Sequence, residues 1–252
     1  MALSLRQGEI LEIARGEGRV AVEDLAARFG VAVQTIRRDL GDLADAGLLD
    51  RVHGGAVARA GVANTAYAER QRQNAGAKAA IGVACAALIP DNSSLILNIG
   101  TTTEAVARAL LGHRNLTVVT NNLNVANILA ASDSCEVIVA GGSLRRSDGG
   151  LVGELTTQVF AQFKVDLAVI GCSALDADGE LLDFDLAEVR VARCILGCAR
   201  RQVLVADGSK IGRQAPVRLG SLAELDGVVT DRPLPEALGA ACAAWGTAVH
   251  LA

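Results

Sequence analysis

Residues 34–56 read QTIRRDLGDLADAGLLDRVHGGA, and the fold follows from how the first half of that run winds. At about 100° per residue, Ile36, Leu40 and Leu43 gather on one face of a helix, the apolar stripe by which a short helix docks on a core. Gln34, Arg38, Gly41 and Asp45 fall opposite, with Thr35 and Arg37 on the flanks. The exposed first turn therefore carries an amide, a hydroxyl and two guanidiniums. Arg and Gln make bidentate contacts to base edges in the major groove, so this face suits DNA. Gly47 is placed to end the helix. Residues 48–55 then read as a strand entering a tight glycine turn, a small wing that brings Arg51 and His53 beside the helix.

Working outward towards the amino terminus, Leu5–Ala14 reads as a helix with Ile10, Leu11 and Ile13 as core positions, broken by Gly16-Glu-Gly18. Residues 19–22 read as a short strand or an extended turn, and Glu23–Phe29 as a second helix closed by Gly30. Three short helices, a tight turn and a wing describe a winged helix-turn-helix over residues 1–58. An ordinary three-helix bundle with solvated arginines would show the same spacing.

Charge raises an objection to a nucleic-acid reading. The whole chain carries a formal −4, and a DNA binder is usually basic. Through Ala58 there are seven arginines against nine Asp and Glu, so even this module is acidic by two. What stands against the objection is focus, since Arg37, Arg38, Arg51 and His53 all fall on the helix and wing. A weakly charged module needs several linked copies to bind tightly.

The composition, 51% hydrophobic and only 2% aromatic, calls for a core of aliphatic side chains and alanine. No apolar run reaches membrane-spanning length, and the charged amino terminus lacks a signal peptide's apolar segment. A cytoplasmic protein is expected. The six cysteines include no CxxC pair and read as reduced, mostly buried thiols. No metal site, cofactor or catalytic residue is assigned.

Residues 59–76, small and polar with little periodicity, read as a linker. From residue 77 to 252 the pattern becomes alternating β and α. Strands at 95–99, 116–119, 136–139, 167–170, 202–205, 228–230 and 248–251 are separated by helices at 77–88, 104–111, 124–131, 154–163, 186–199 and 235–245. The strands are apolar without alternation, as when both faces of a sheet are covered, and a mostly parallel α/β sheet follows.

Ligands of such sheets bind outside the carboxyl ends of the strands. There this chain places Gly100-Thr-Thr-Thr103, Thr120-Asn-Asn122, Gly141-Gly142 and Asp207-Gly-Ser-Lys210. Gly100 lets backbone approach a ligand, and the amides after it open a helix, a ready anion site. Thr101, Thr102 and Thr103 add hydroxyls, and Lys210 adds a full charge. Asn121, Asn122, Asp183, Glu188, Asp207 and Ser209 could hold ligand hydroxyls. Together they describe a pocket for a small phosphorylated polyol. Arg145 and Arg146 either lie solvated in a polar loop or reach the anion. Glu188 is a better candidate than Arg190. His113 and His250 have no partner in sequence, and Trp245 reads as a core anchor.

EDLAARFGVAVQTIRRDLGDLADAGLLDRVHGGA is similar to the DNA-binding module of the DeoR family of bacterial repressors. NIGTTTEAVARALL, VVTNNLNVANIL, AGGSLRRSDGGLVGE, FDLAEVRVARCI and VADGSKIGR resemble that family's sensor domain, which shares its fold with sugar-phosphate isomerases. The resemblance implies a repressor that binds double-stranded operator DNA. It also implies glycerol 3-phosphate as inducer, and a homo-oligomer, dimer or tetramer, with its contacts in the sensor domain. Two positions depart from the family pattern. Ala32 stands where Ser commonly caps the recognition helix, a loss worth about 1 kcal/mol, so that either the helix start is looser or Gln34 or Thr35 compensates. Asn98 stands where Asp usually precedes the GTT loop. Two alternatives stay open: a repressor sensing another sugar phosphate, and an isomerase carrying an accessory DNA-binding module, for which Asp183, Glu188 and Asp207 would be the acid–base carboxylates.

Overall fold

The computed structural model describes residues 4–17, 19–46, 48–52, 54–58 and 67–252, and the chain divides into two units, Met1–Gly61 and Val62–Ala252. In the first, among the described residues, α1 (Leu5–Glu17), β1 (Arg19–Ala21), α2 (Val22–Phe29) and α3 (Val33–Asp45) precede β2 (Leu49–Val52) and β3 (Gly55–Ala58). Ile36, Leu40 and Leu43 of α3 are buried with Ile10, Leu11, Leu25 and Leu49, as the helical stripe requires. The strands form an antiparallel sheet in the order β1-β3-β2. This is the expected winged helix-turn-helix.

Two glycine expectations fare differently. The helix break falls late in Gly16-Glu-Gly18, because α1 runs past Gly16 and ends at Glu17; one glycine in a helix costs only about 1 kcal/mol. The tight turn does occur, with Gly54 at φ +77°. Gly55 answers a different need. It pairs with Ala21, and a Cβ there would stand 1.9 Å from the Val20 carbonyl oxygen. The wing closes against β1 only because that position has no side chain. Ala32 makes no side-chain cap to α3. Thr35 does not substitute: only its amide reaches the Ala32 carbonyl, at 2.8 Å. Gly47 and His53 lie outside the described residues.

The second unit runs α4 (Tyr67–Arg72), α5 (Ala75–Ala86), β4 (Ser94–Leu97), α6 (Thr101–Ala109), β5 (Leu116–Thr120), α7 (Leu123–Leu129) and β6 (Cys135–Val139). A hairpin of β7 (Ser143–Arg145) and β8 (Gly150–Val152) follows, then α8 (Glu154–Phe160), β9 (Val165–Ile170), β10 (Ala174–Leu175), β11 (Glu180–Asp183) and α9 (Leu186–Gly197). The chain ends with β12 (Ala199–Val205), β13 (Val217–Ser221), β14 (Gly227–Thr230), α10 (Glu236–Trp245) and β15 (Ala248–Leu251). Seven strands form one sheet in the order β15-β14-β12-β9-β4-β5-β6, and every pair in it is parallel. Successive residues serve opposite faces. Leu95, Leu97 and Val169 pack under α5, α6 and α7, while Ile96, Ala168 and Ile170 pack under α8 and α9. That double burial explains the unbroken apolar runs.

Three features depart from the sequence reading. Residues 67–72, inside the expected linker, are helical and bonded to the second unit. The helix expected from Glu104 begins at Thr101, so the threonines are its first turn. An antiparallel sheet of β10, β11 and β13 stands apart from the main one; strands of two to five residues leave too little periodicity to read. Trp245 is no core anchor: it is 40% exposed and lies over Gly179, where a Cβ would come within 3.0 Å of its ring. Among the described residues no helix is long and apolar enough to cross a membrane.

Candidate functional site

In the winged unit, Gln34, Arg37 and Arg38 are exposed on α3, Thr35 is half-buried, and Arg51 is exposed on β2. Arg37 donates to Gln34 Oε1 at 3.3 Å, which holds the first-turn amide and guanidinium together. Two acidic residues of the same helix turn towards α1, while Asp45 at its end is exposed. Asp39, 6% exposed, accepts from Arg6 Nε at 2.6 Å, and Asp42 accepts from Gln7 Nε2 at 3.1 Å. Two of the carboxylates behind the unfavourable charge count thus bind α1, while the arginines face outward.

The second site lies where the sheet's strand order reverses, between β4 and β9. Such switch points open a crevice at the strand carboxyl ends. Gly171 marks it: a Cβ there would stand 3.9 Å from both the Ile99 and Val205 carbonyl oxygens. The β4 end supplies Asn98, Gly100 and Thr101, and the β12 end supplies Asp207, Ser209 and Lys210. Asp207 Oδ1 accepts from Asn74 Nδ2 at 2.8 Å, from Ser209 Oγ at 2.5 Å and from Ser209 N at 3.1 Å. Burial pushes the Asp207 carboxyl up, but Lys210, Ser209, Asn74 and Lys78 outweigh it and hold it below its usual range. Burial pulls Lys210 down to about 8, against the attraction of Asp207 and with help from Arg213 and Lys78. Arg213 in turn is lowered by burial and by Arg70, and Lys78 by burial and Arg70. Arg70, Lys78, Lys210 and Arg213 therefore stand close enough to act on one another, with Asp207 and Asp183 among them. Three buried polar atoms there have no hydrogen-bond partner among the described residues, namely Arg70 Nε, Asn98 Oδ1 and Asp207 Oδ2. A small anion carrying hydroxyl groups is the kind of ligand that would answer both the crowding and the vacant bonds.

Beside it runs a network of ion pairs. Arg145 donates to both oxygens of Asp148 at 2.9 and 2.7 Å, to Asp185 at 2.8 Å and to Glu188 at 2.7 Å. Arg70 reaches the same Asp148 at 3.3 Å. Burial and Asp183 push Glu188 up to about 7, against the pull of Arg145. Of the two alternatives for Arg145, solvated surface is therefore excluded: it is a half-buried clamp between the β7–β8 hairpin and the start of α9.

The structure brings together Gly100, Thr101, Asp183, Asp207, Ser209 and Lys210, with Glu188 one ion pair away. Other candidates shape loops. Thr103 Oγ1 donates to the Asn98 and Gly100 carbonyls, both at 2.7 Å. Thr120 Oγ1 donates to Leu97 O at 2.7 Å and accepts from Asn122 N at 3.0 Å. Asn122 Oδ1 caps α7, Asn121 Nδ2 donates to Leu151 O at 3.0 Å, and Thr102 is buried. Gly141 and Gly142 lie against Leu155 and Thr156 of α8, where a Cβ on Gly142 would meet Thr156 Oγ1 at 2.0 Å. Arg70, Lys78, Ser173 and Arg213 were not among the sequence candidates. Asp183 Oδ1 accepts from Ser173 Oγ at 3.1 Å, and Arg213 donates to Ser173 O at 3.2 Å while lying 5.1 Å from the Phe184 ring centroid. The GCS turn after β9 and the R in KIGR were the signals for two of them.

Two family models match the chain: the DeoR-like helix-turn-helix domain over residues 6–60 and the DeoR C terminal sensor domain over residues 73–232. The glycerol-3-phosphate regulon repressor of Escherichia coli (strain K12) is 45% identical over 235 residues, 93% of each chain. The protein of the same name from Haemophilus influenzae is 46% identical over 230 residues, 91% of this chain and 90% of that one. Ribose 5-phosphate isomerase A from Methanocaldococcus jannaschii superposes with a TM-score of 0.41 at 13% identity, over 55% of each chain.

Proposed function

The chain belongs to the DeoR family of DNA-binding transcriptional repressors, and from that premise we propose that it silences an operon for glycerol or glycerol 3-phosphate use and is released by glycerol 3-phosphate. Gln34, Thr35, Arg37 and Arg38 would read base edges, with Arg51 on the adjoining phosphates. The observation that carries the effector reading is the crevice of Arg70, Lys78, Lys210 and Arg213, whose mutual repulsion a phosphate dianion relieves. Thr101, Asn98, Asp183 and Asp207 are the polar groups for the glycerol hydroxyls. Because the winged unit is acidic in sum, tight operator binding rests on a homo-oligomer that presents two such units to half-sites about 34 Å apart or a multiple of that. Such a protein works in the cytoplasm, where the chromosome is.

The test is a gel-shift titration against DNA selected by the protein from a random pool, with and without glycerol 3-phosphate. The ligand should lower operator affinity between about 5-fold and 150-fold, the usual range of a coupling between two sites. Operator DNA should lower ligand affinity, read by calorimetry, by the same factor. Lys210→Ala should keep operator binding and lose release. Release by a different sugar phosphate alone would reassign the inducer. An inducible Lys210→Ala protein would remove the crevice from the reading.

A further inference from the structure

Residues 67–74 lie across the crevice. At one end Tyr67 donates its hydroxyl to Glu104 on α6, at 2.9 and 3.0 Å from the two carboxylate oxygens. Asn124 of α7 bonds the same hydroxyl at 3.0 Å, Glu104 Oε1 at 3.1 Å and the Asp148 carbonyl at 2.9 Å. In the middle Arg70 pairs with Asp148, and its carbonyl accepts from Thr101 Oγ1 at 3.5 Å. At the far end Asn74, in the left-handed region at φ +53°, holds Asp207. The segment thus spans from the β4 end of the crevice to the β12 end. Lys78 anchors it from below, through the Arg70 and Gln73 carbonyls.

What holds this segment is almost wholly polar. No residue of α4 is buried, whereas α5, starting at Ala75, buries Ile81, Cys85 and Ala86. An element without buried apolar contacts opens at low cost. Its position in the chain gives opening a consequence. Residues 59–66 join Ala58 of β3 to Tyr67, and eight residues reach at most about 26–29 Å. Release of residues 67–74 doubles that limit.

We propose that residues 67–74 form a strap that closes over the effector and sets the length of tether available to the winged unit. The proposal rests on the effector reading given above. An anion at Thr101 meets the Arg70 charge in full only when the strap is docked, so docking and ligand binding favour one another. A docked strap leaves the shorter tether, so ligand binding and the freedom of the winged unit oppose one another. The Tyr67–Glu104–Asn124 knot is the latch at the tether end. It touches α6 and α7 but donates nothing to the crevice itself.

Hydrogen exchange on the full-length protein tests this. Saturating glycerol 3-phosphate should slow the amides of residues 71–78 at least about fivefold. Tyr67→Phe, which removes the knot's hydroxyl, should leave operator affinity without ligand unchanged and shrink the ligand-induced loss of that affinity at least about threefold. Ligand binding seen by calorimetry with no slowing at 71–78, or a Tyr67→Phe protein with full release, overturns the strap and leaves the effector reading standing. No heat of binding for the wild-type protein overturns the effector reading, and the strap with it.

Discussion

Arg37 and Arg38 on α3 stand in solvent, Arg37 in contact with Gln34, while Arg145 and Arg70 are tied to carboxylates contributed by the β7–β8 hairpin and α9. The winged unit ties Asp39 and Asp42 of α3 to α1 and leaves Arg37, Arg38 and Arg51 open to a polyanion too large to enclose. The sensor unit folds its cations inward, where burial makes each charge costly and each partner decisive. The first arrangement binds by surface and tolerates water. The second binds a small anion by completing a set of charges that the fold leaves crowded. The two should therefore fail differently: the winged unit through its backbone frame, the sensor unit through single charges.

Gly55→Ala strains that contrast most, because it adds one methyl group and touches no charge. The new Cβ would lie on the Val20 carbonyl, which belongs to a paired strand and cannot move aside. Overpacking typically costs about 1–3 kcal/mol. With backbone as the obstacle, the wing should detach from β1 and operator binding should fall below detection. Calorimetric titration should show glycerol 3-phosphate affinity unchanged, since the sensor unit carries that site. A Gly55→Ala protein that binds operator normally would show that the wing does not need its close approach to β1.

Arg38→Ala tests the other half of the winged unit's design at smaller cost. Arg38 is exposed and makes no packing contact the fold depends on, so melting should not change. Loss of one good bidentate base contact should weaken specific binding by about 1–3 kcal/mol and relax preference at one base pair. Equal weakening on all sequences would make Arg38 a phosphate contact instead, and no weakening would remove it from the interface.

How much of this could be read from the chain alone also divides along the same line. The α3 face was legible because one helix carries it: Ile36, Leu40 and Leu43 fix which way Arg38 points. So was the crevice's position, since apolar strands 95–99, 167–170 and 202–205 set the sheet and polar residues follow each. What was not legible is what needs distant partners. Arg145 stood open between surface and ligand until Asp185 and Glu188, forty or so residues on, were seen to close on it. Residues 67–74 read as linker because α4 has no apolar stripe, its contacts being to Glu104, Asp148 and Asp207. Thr103 and Thr120 offered hydroxyls to a ligand in sequence, but in the fold they tie their own loops.

The smallest effect is the one that tests whether the sensor unit works through single charges. Lys210 has its pKa lowered to about 8 by burial, opposed by Asp207 and aided by Arg213 and Lys78. A lowered lysine pKa means that the fold disfavours the ammonium. Holding the charge costs stability below about pH 8, and that cost fades as pH rises towards the usual value near 10.5. Ligand binding runs the opposite way, because the phosphate needs the ammonium. A phosphate monoester, with a second pKa near 6, stays a dianion above neutrality. Cys172, which also faces Lys210, is pushed up to about 12 and does not titrate in this range. Between pH 7 and pH 9 the cationic fraction of Lys210 then drops roughly tenfold, and glycerol 3-phosphate affinity should drop with it. Glu188, at about 7, titrates only at the lower edge of this window and within the Arg145 clamp. Lys210→Arg separates the two groups, since a guanidinium keeps its charge throughout. Calorimetry on that variant should show a flat profile above pH 7.5, whereas a profile that still falls as in the wild type would move the titrating group away from Lys210.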